Sequence, residues 1–521
     1  MKIIKQKDIK ELIKDGSTVA STGFTTSLLC DHVFRAIETS FLESGHPADL
    51  EFVCIPMLGN KKPGEGMDRL AHKGLLRGLR TTHINMVPNI QKAVMDGSIY
   101  CYMYPYGCIT QLYRDMGAGK PGTISKVGLG TFIDPRIEGG KCNEKSEEDI
   151  CSVIKVEGEE YLFYKKFPID VAVLRGTTCD EKGNVTCEDE ILFAESLEIA
   201  QAVKQNGGIV IVQVKKIVPA GKLRPREVVI PGVMVDYVMI APVEHHMQTM
   251  ATEMNDDWTH RENVKLEKMN PVPLDERKII ARRAAMQIAK GSVINLGMGI
   301  PELVGAIAAE EGFENDITMT VECGIVGGVP VSGLDFGGCY NPQFVTNSAR
   351  QMDWYDGGGL DLCVLSAAEV DRFGNTNVTK FGRIVGPGGY INIATGAKEA
   401  IFCGTLTAGG LEVETGDGSL KIVKEGSKKK YVKDVEQITY SGKQAVRRGQ
   451  KVTYITERAV FRLRDDDTVE LVEIAPGIDV YKQVLDLIDF DVRVADDLKV
   501  MDSRIFTDEP MGHRPHTGSR Y

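Results

Sequence analysis

One strand-and-turn unit occurs twice in this chain. Residues 171–184 read VAVLRGTTCDEKGN and residues 362–375 read LCVLSAAEVDRFGN. Each has an apolar Val-Leu run, then an Asp, then Gly-Asn starting three residues later. Asp180 and Gly183 therefore correspond to Asp371 and Gly374. Asp-x-x-Gly-Asn after a strand is a turn, because Gly and Asn tolerate positive φ. Such a unit at equivalent places predicts two related halves.

A second correspondence supports this. Thr18-Val19 leads to Gly23 and then to the helix-like LLCDHVFRAIE. Val293-Ile294 leads to Gly297 and Gly299 and then to ELVGAIAAEEG. Strand, glycine turn and helix in that order mark an α/β fold. The expected class is α/β: two related open α/β domains with mainly parallel sheets. The alternating pattern within 411–470, including VTYITERAVFRL, predicts an antiparallel annex on the second. Residues 1–242 form the first domain and 275–521 the second. The polar segment 243–274, with Asn255-Asp256-Asp257 and Pro271-Val-Pro273, is the linker. The spacing from Gly23 to Asp180 is about twice that from Gly297 to Asp371, so an insertion is expected within residues 60–165.

Several function classes fall away. The net charge of −11 speaks against a general nucleic-acid binder. No apolar run approaches the roughly 18 residues that span a bilayer, and MKIIKQKDIKELIK lacks the apolar core of a signal peptide. Twelve Cys without Cys-x-x-Cys pairs read as reduced thiols of a cytoplasmic protein. The His245–His246 and His513/His516 pairs lack metal-ligand spacing and read as surface or linker residues, so no metal is expected. At Gly297-Met-Gly299-Ile-Pro-Glu302, Glu stands where a dinucleotide fingerprint needs its third Gly. No phosphate loop, Gly-x-Ser-x-Gly elbow or His-Glu-x-x-His motif is present.

What remains is ITMTVECGIVGGVPVSG at 317–333. A β-branched strand delivers Glu322 into a run containing Gly324, Gly327 and Gly328. One reading is an exposed carboxylate at a strand end. The other is a nucleophile at the C-terminal end of a parallel strand, where open α/β sheets place their sites. Gly386-Pro387-Gly388-Gly389-Tyr390 is either a wide turn or backbone that approaches a ligand closely.

These residues resemble those of the family I coenzyme A transferases, most closely the propionate/acetate branch. The resemblance runs through KDGSTVASTGF, KVGLGTFIDPR, YLFYKKFPIDVAVLRGT, VPVSG, YDGGGLDLCVL, VGPGGYINI and TYITERAVF, and covers nearly the whole chain. It implies that Glu322 is the catalytic nucleophile and that Gly23 and Phe24 are the oxyanion donors. It further implies that Gly297, Gly299, Gly386, Gly388, Gly389 and Lys398 lie against coenzyme A. Thr22 stands where the family has a Gly, and Met57, Leu58 and Tyr106 differ from the branch pattern. If those three line the acyl pocket, larger or aromatic acyl groups are admitted.

The resemblance implies a ping-pong transfer of CoA between an acyl-CoA and a free carboxylic acid through a glutamyl-CoA thioester. Coenzyme A is then a substrate, with no permanently bound cofactor, and the enzyme is a homotetramer. Two alternatives stand beside it: a CoA-ester hydrolase on the same scaffold, and a non-catalytic ligand-binding α/β protein.

Overall fold

The computed structural model describes residues 1–259, 262–265 and 271–517. Among these, eight strands form one sheet and ten form another. The first sheet is built on β1 (Thr18–Ser21), β2 (Leu50–Cys54), β3 (Val171–Arg175), β4 (Ile209–Val214) and β5 (Tyr237–Ile240). The second is built on β6 (Val293–Leu296), β7 (Thr318–Val321), β8 (Leu360–Ser366), β9 (Ala397–Cys403) and β10 (Lys451–Ile455). The spatial orders are β2-β1-β3-β4-β5 and β7-β6-β8-β9-β10, and every adjacent pair is parallel. The two halves thus repeat one topology. Their shared strands are nearly all apolar because both faces of a parallel sheet are covered.

The duplicated turns close identically. Asp180 Oδ1 accepts from the Lys182 and Asn184 amides at 2.9 and 3.0 Å, and Asp371 Oδ1 from Phe373 and Asn375 at the same distances. Gly183 and Gly374 have φ of +90° and +70°, which favours glycine there.

The first half is longer because Leu76–Thr81 and Tyr100–Met103 extend its sheet and a three-stranded antiparallel sheet lies within 122–165. In the second half, Ala459–Leu463 and Val469–Ile474 continue the main sheet in antiparallel fashion. Glu412–Gly416 and Ser419–Lys424 form a separate hairpin. Part of the expected linker, residues 260–261 and 266–270, lies outside the described residues. His246 is not a surface residue. It is 1% exposed, with Nε2 3.0 Å from Glu190 Oε1, and Arg175 donates to the His246 and Met247 carbonyls, so hydrogen bonds to the buried Arg175–Glu190 pair tie this segment to the first half. Burial is the main influence lowering its pKa to about 4.

Three helices meet at the seam between the halves. α1 (Tyr106–Gly117) comes from the first; α3 (Ser348–Asp356) and α4 (Tyr390–Gly396) come from the second. α2 (Ser196–Gln205) packs beside α1. The apolar core continues across this seam, from Leu58 and Tyr106 to Met352, Tyr390 and Ile393.

Candidate active site

β7 ends at Val321 and hands Glu322 to the C-terminal edge of the second sheet. The chain then turns sharply. Gly324 has φ +116°, and a Cβ there would strike the Thr346 carbonyl. Glu322 is half-buried. Loss of water raises its pKa, opposed by its own amide and by Asn295 on β6. A carboxylate short of solvating donors is a better nucleophile than one in bulk water. Gly297 and Gly299 follow β6 on the same sheet edge. The Gly297 amide donates to Val364 O at 2.8 Å, and a Cβ on Gly299, at φ +91°, would meet only Ser366 Oγ, at 3.9 Å.

The glycine loop 386–389 faces Glu322. A Cβ at Gly389 would lie 3.1 Å from Glu322 Cγ and 3.3 Å from Oε1. The first half holds this loop. Gly388 N–H donates to Thr82 O at 2.9 Å, and Ile84 N–H donates to Val385 O at 2.9 Å. Gly386, at φ +97°, presses on the Thr82 carbonyl so closely that no side chain fits. The Tyr106 amide donates to Gly388 O at 3.2 Å.

Tyr106 joins the two sides. Its ring stacks on Phe24 with centroids 6.0 Å apart, and Phe24 meets Phe336 at 5.6 Å. Its hydroxyl donates to Ser348 Oγ at 2.9 Å. Leu58 is fully buried, and its methyl groups fill the space where a Gly23 Cβ would stand. Met57 is also fully buried, its amide donating to His83 O at 3.1 Å.

Two expectations need correction. Lys398 is at the start of β9, and β9 runs parallel to β7 through β8 and β6. It therefore stands at the sheet edge opposite Glu322. Its ammonium pairs with Asp361 at 2.8 Å. Of the two expected oxyanion donors, the Phe24 amide is occupied, donating to Ser27 O at 3.2 Å. The Gly23 amide lies near the Glu195 carboxyl.

Glu195 is the residue the sequence reading missed. It directly precedes α2 and is 0% exposed. One oxygen accepts from Ser348 Oγ at 3.3 Å, while the other has no hydrogen-bond partner. Burial and nearby Glu198 raise its pKa well above the carboxylate range. Among the described residues, no group of three or more His, Cys, Asp or Glu is placed to hold a metal ion, and no helix is long and apolar enough to cross a membrane.

The coenzyme A transferase family model matches residues 3–241 and 277–481. The chain is 44% identical over 515 residues to a caffeate CoA-transferase of Acetobacterium woodii, covering 98% of both chains. It is 41% identical over 515 residues to the acetate CoA-transferase YdiF of Escherichia coli O157:H7, covering 98% of this chain and 96% of that one. The crystal structure of that YdiF as a thioester complex with CoA superposes with a TM-score of 0.92 at 39% identity, covering 99% and 98% of the two chains.

Proposed function

The chain belongs to the coenzyme A transferase family and is a CoA-transferase, and from that premise we propose that Glu322 carries CoA as a covalent thioester between two carboxylic acids. The observation that carries this reading is the setting of Glu322. It is a half-buried carboxylate at a parallel-strand end, pressed against a side-chain-free stretch of the glycine loop at the seam of the halves.

A Glu322 oxygen attacks the thioester carbonyl of the incoming acyl-CoA. The C–S bond breaks, giving an acyl-glutamyl anhydride and CoA thiolate. The thiolate attacks the glutamyl carbonyl and expels the first acid as its carboxylate, leaving glutamyl-CoA thioester. The second carboxylate attacks that thioester, forms a new anhydride and releases thiolate. Attack of the thiolate on the new acyl carbonyl gives the product acyl-CoA and free Glu322. Thioester energy is retained in each covalent state.

The tetrahedral intermediates need a hydrogen-bond donor. The Gly389 amide, which donates to no other group among the described residues, is the donor this reading assigns. One such donor is worth about 2.7–4 kcal/mol in comparable sites. Gly299 and Gly388 leave backbone open to the pantetheine arm, whereas Gly297 packs against Leu365 and Gly386 against the Thr82 carbonyl. Leu58 and Tyr106, both packed and fully buried, close the acyl end, so this reading favours short acids such as acetate over the larger or aromatic groups expected from the sequence. The twelve free cysteines support a reducing, cytoplasmic setting. The homotetramer is carried by the family resemblance, and light scattering tests it.

Incubation with acetyl-CoA alone tests the mechanism. The peptide spanning 317–333 should gain the mass of CoA, and borohydride should reduce that thioester and abolish activity. Absence of an adduct on Glu322 under turnover conditions rules the mechanism out.

A further inference from the structure

The Glu195 carboxyl sits where three pieces of the site meet, and the transfer steps above make no use of it. Ser348 Oγ, at the start of α3 in the second half, donates to one of its oxygens at 3.3 Å and accepts from the Tyr106 hydroxyl at 2.9 Å. The Gly23 amide, at the end of the turn after β1, lies against the same carboxyl. The Ser348 amide donates to Ala194 O at 3.0 Å, so backbone reinforces the junction. Ala194 has φ +46°, which an L-residue rarely adopts; this local conformation leads the chain into Glu195.

Among the described residues, no basic group is paired with this carboxyl. Glu198 faces it from α2, Tyr106 and Tyr113 from α1, Cys54 from the end of β2, and Cys323 from beside the nucleophile. An ionised carboxylate among these groups would be an uncompensated buried charge. The acid therefore favours its neutral form, and its hydrogen bond runs across the halves to Ser348.

We propose that Glu195 is a positioning residue for acyl transfer: it anchors Ser348 from the first half, and through Ser348 it fixes the Tyr106 ring that walls the acyl end opposite Glu322. The proposal rests on Glu322 being the covalent carrier. Attack by carboxylate and by thiolate must occur in one cleft whose acyl end keeps its shape between the two half-reactions. Misplacement by about 1 Å at such a site costs on the order of 10²-fold in rate.

The test compares Glu195→Gln and Glu195→Ala by steady-state kinetics from pH 6 to 10, with CoA-adduct formation on Glu322 measured in parallel. Gln has the size of the neutral acid and still accepts from Ser348. It should recover activity lost in the Ala variant, for which a fall in kcat of at least about tenfold is expected with little change in KM for acyl-CoA. An alkaline limb that Glu195 ionisation sets in the wild-type profile should be missing from the Gln variant. A Gln variant as impaired as the Ala variant, or one with an unchanged alkaline limb, overturns the proposal. So does a folded Ala variant with wild-type kcat. If the Ala variant does not fold, the pH profile of the Gln variant decides alone. Absence of an adduct in the wild type refutes the carrier role of Glu322 instead, so the two failures are distinguishable.

Discussion

A Cβ placed on Gly389 would meet Glu322 Cγ at 3.1 Å and Oε1 at 3.3 Å, so the nucleophile is held against bare backbone. The backbone of Gly389 is ordinary, with φ −80° and ψ −8°, and alanine can adopt it. Glycine is needed there for space and not for conformation. Gly389→Ala should fold normally, yet push the carboxylate aside and lower kcat by on the order of 10²-fold. Gly386→Ala should behave differently. With φ +97° and the Thr82 carbonyl in the way, it should lower the melting temperature. Melting curves and kinetics of the two variants check this, and a Gly389→Ala enzyme with wild-type kcat contradicts the packing argument.

Glu322 itself gives a second prediction. Glu322→Asp keeps the carboxylate but withdraws it by about one bond length, so a loss of on the order of 10²-fold is expected. Glu322→Gln removes the nucleophile and should leave almost no activity. Both should keep the wild-type fold, because the side chain makes no ion pair among the described residues. Retention of most transferase activity in the Gln variant is incompatible with the mechanism.

The two-half architecture was legible because its marks are local. Asp180 and Asp371 close their turns through backbone amides two and four residues away, and such contacts depend on spacing alone. Glu322 was legible for a related reason: a strand followed by glycines places its next residue at a sheet edge. Lys398 was misjudged because nearness in sequence to the glycine loop says nothing about sheet direction. α4 carries the chain back, so β9 starts at the far edge. Glu195 was invisible because its partner Ser348 is separated from it by more than 150 residues. A pair of acids at the start of a helix, Glu195 and Glu198, was the one local trace, and such pairs are common on solvated helix ends.

Asp356 supplies a prediction about pH. It accepts from Asn392 Nδ2 at 2.9 Å and Gln111 Nε2 at 2.9 Å, and Asn392 Oδ1 accepts from the Gly107 amide at 2.9 Å. This network links α1, α3 and α4. Burial is the main influence raising the Asp356 pKa to about 6, while the two amide donors oppose the rise. The folded protein thus holds this proton more tightly than the unfolded chain. Its stabilising contribution is full below about pH 4 and is lost as pH rises through about 6. Relative to Asp356→Asn, wild-type stability should fall between about pH 4 and 6 and then level off. Urea unfolding across that range measures it, and a difference that is constant or rises with pH contradicts the assignment.

The last prediction concerns acyl choice. Leu58 and Tyr106 come from the first half, whereas Glu322 comes from the second, and under the proposed reading a ligand in the crevice between halves would meet all three. Leu58 is fully buried against Gly23, and Tyr106 is pinned by Phe24 and Ser348, so neither can swing away to admit a longer chain. Leu58→Ala should open the acyl end while costing about 2–5 kcal/mol of stability, as core truncations do. One methylene in such a pocket is worth about 1–3 kcal/mol. The kcat/KM ratio of butyryl-CoA to acetyl-CoA should therefore rise at least roughly tenfold in Leu58→Ala. Tyr106→Phe keeps the ring but drops the bond to Ser348. It should change this ratio less and kcat more, because the ring's volume is intact while its anchor is gone. A folded, active Leu58→Ala enzyme with an unchanged ratio would place the acyl pocket elsewhere in the crevice.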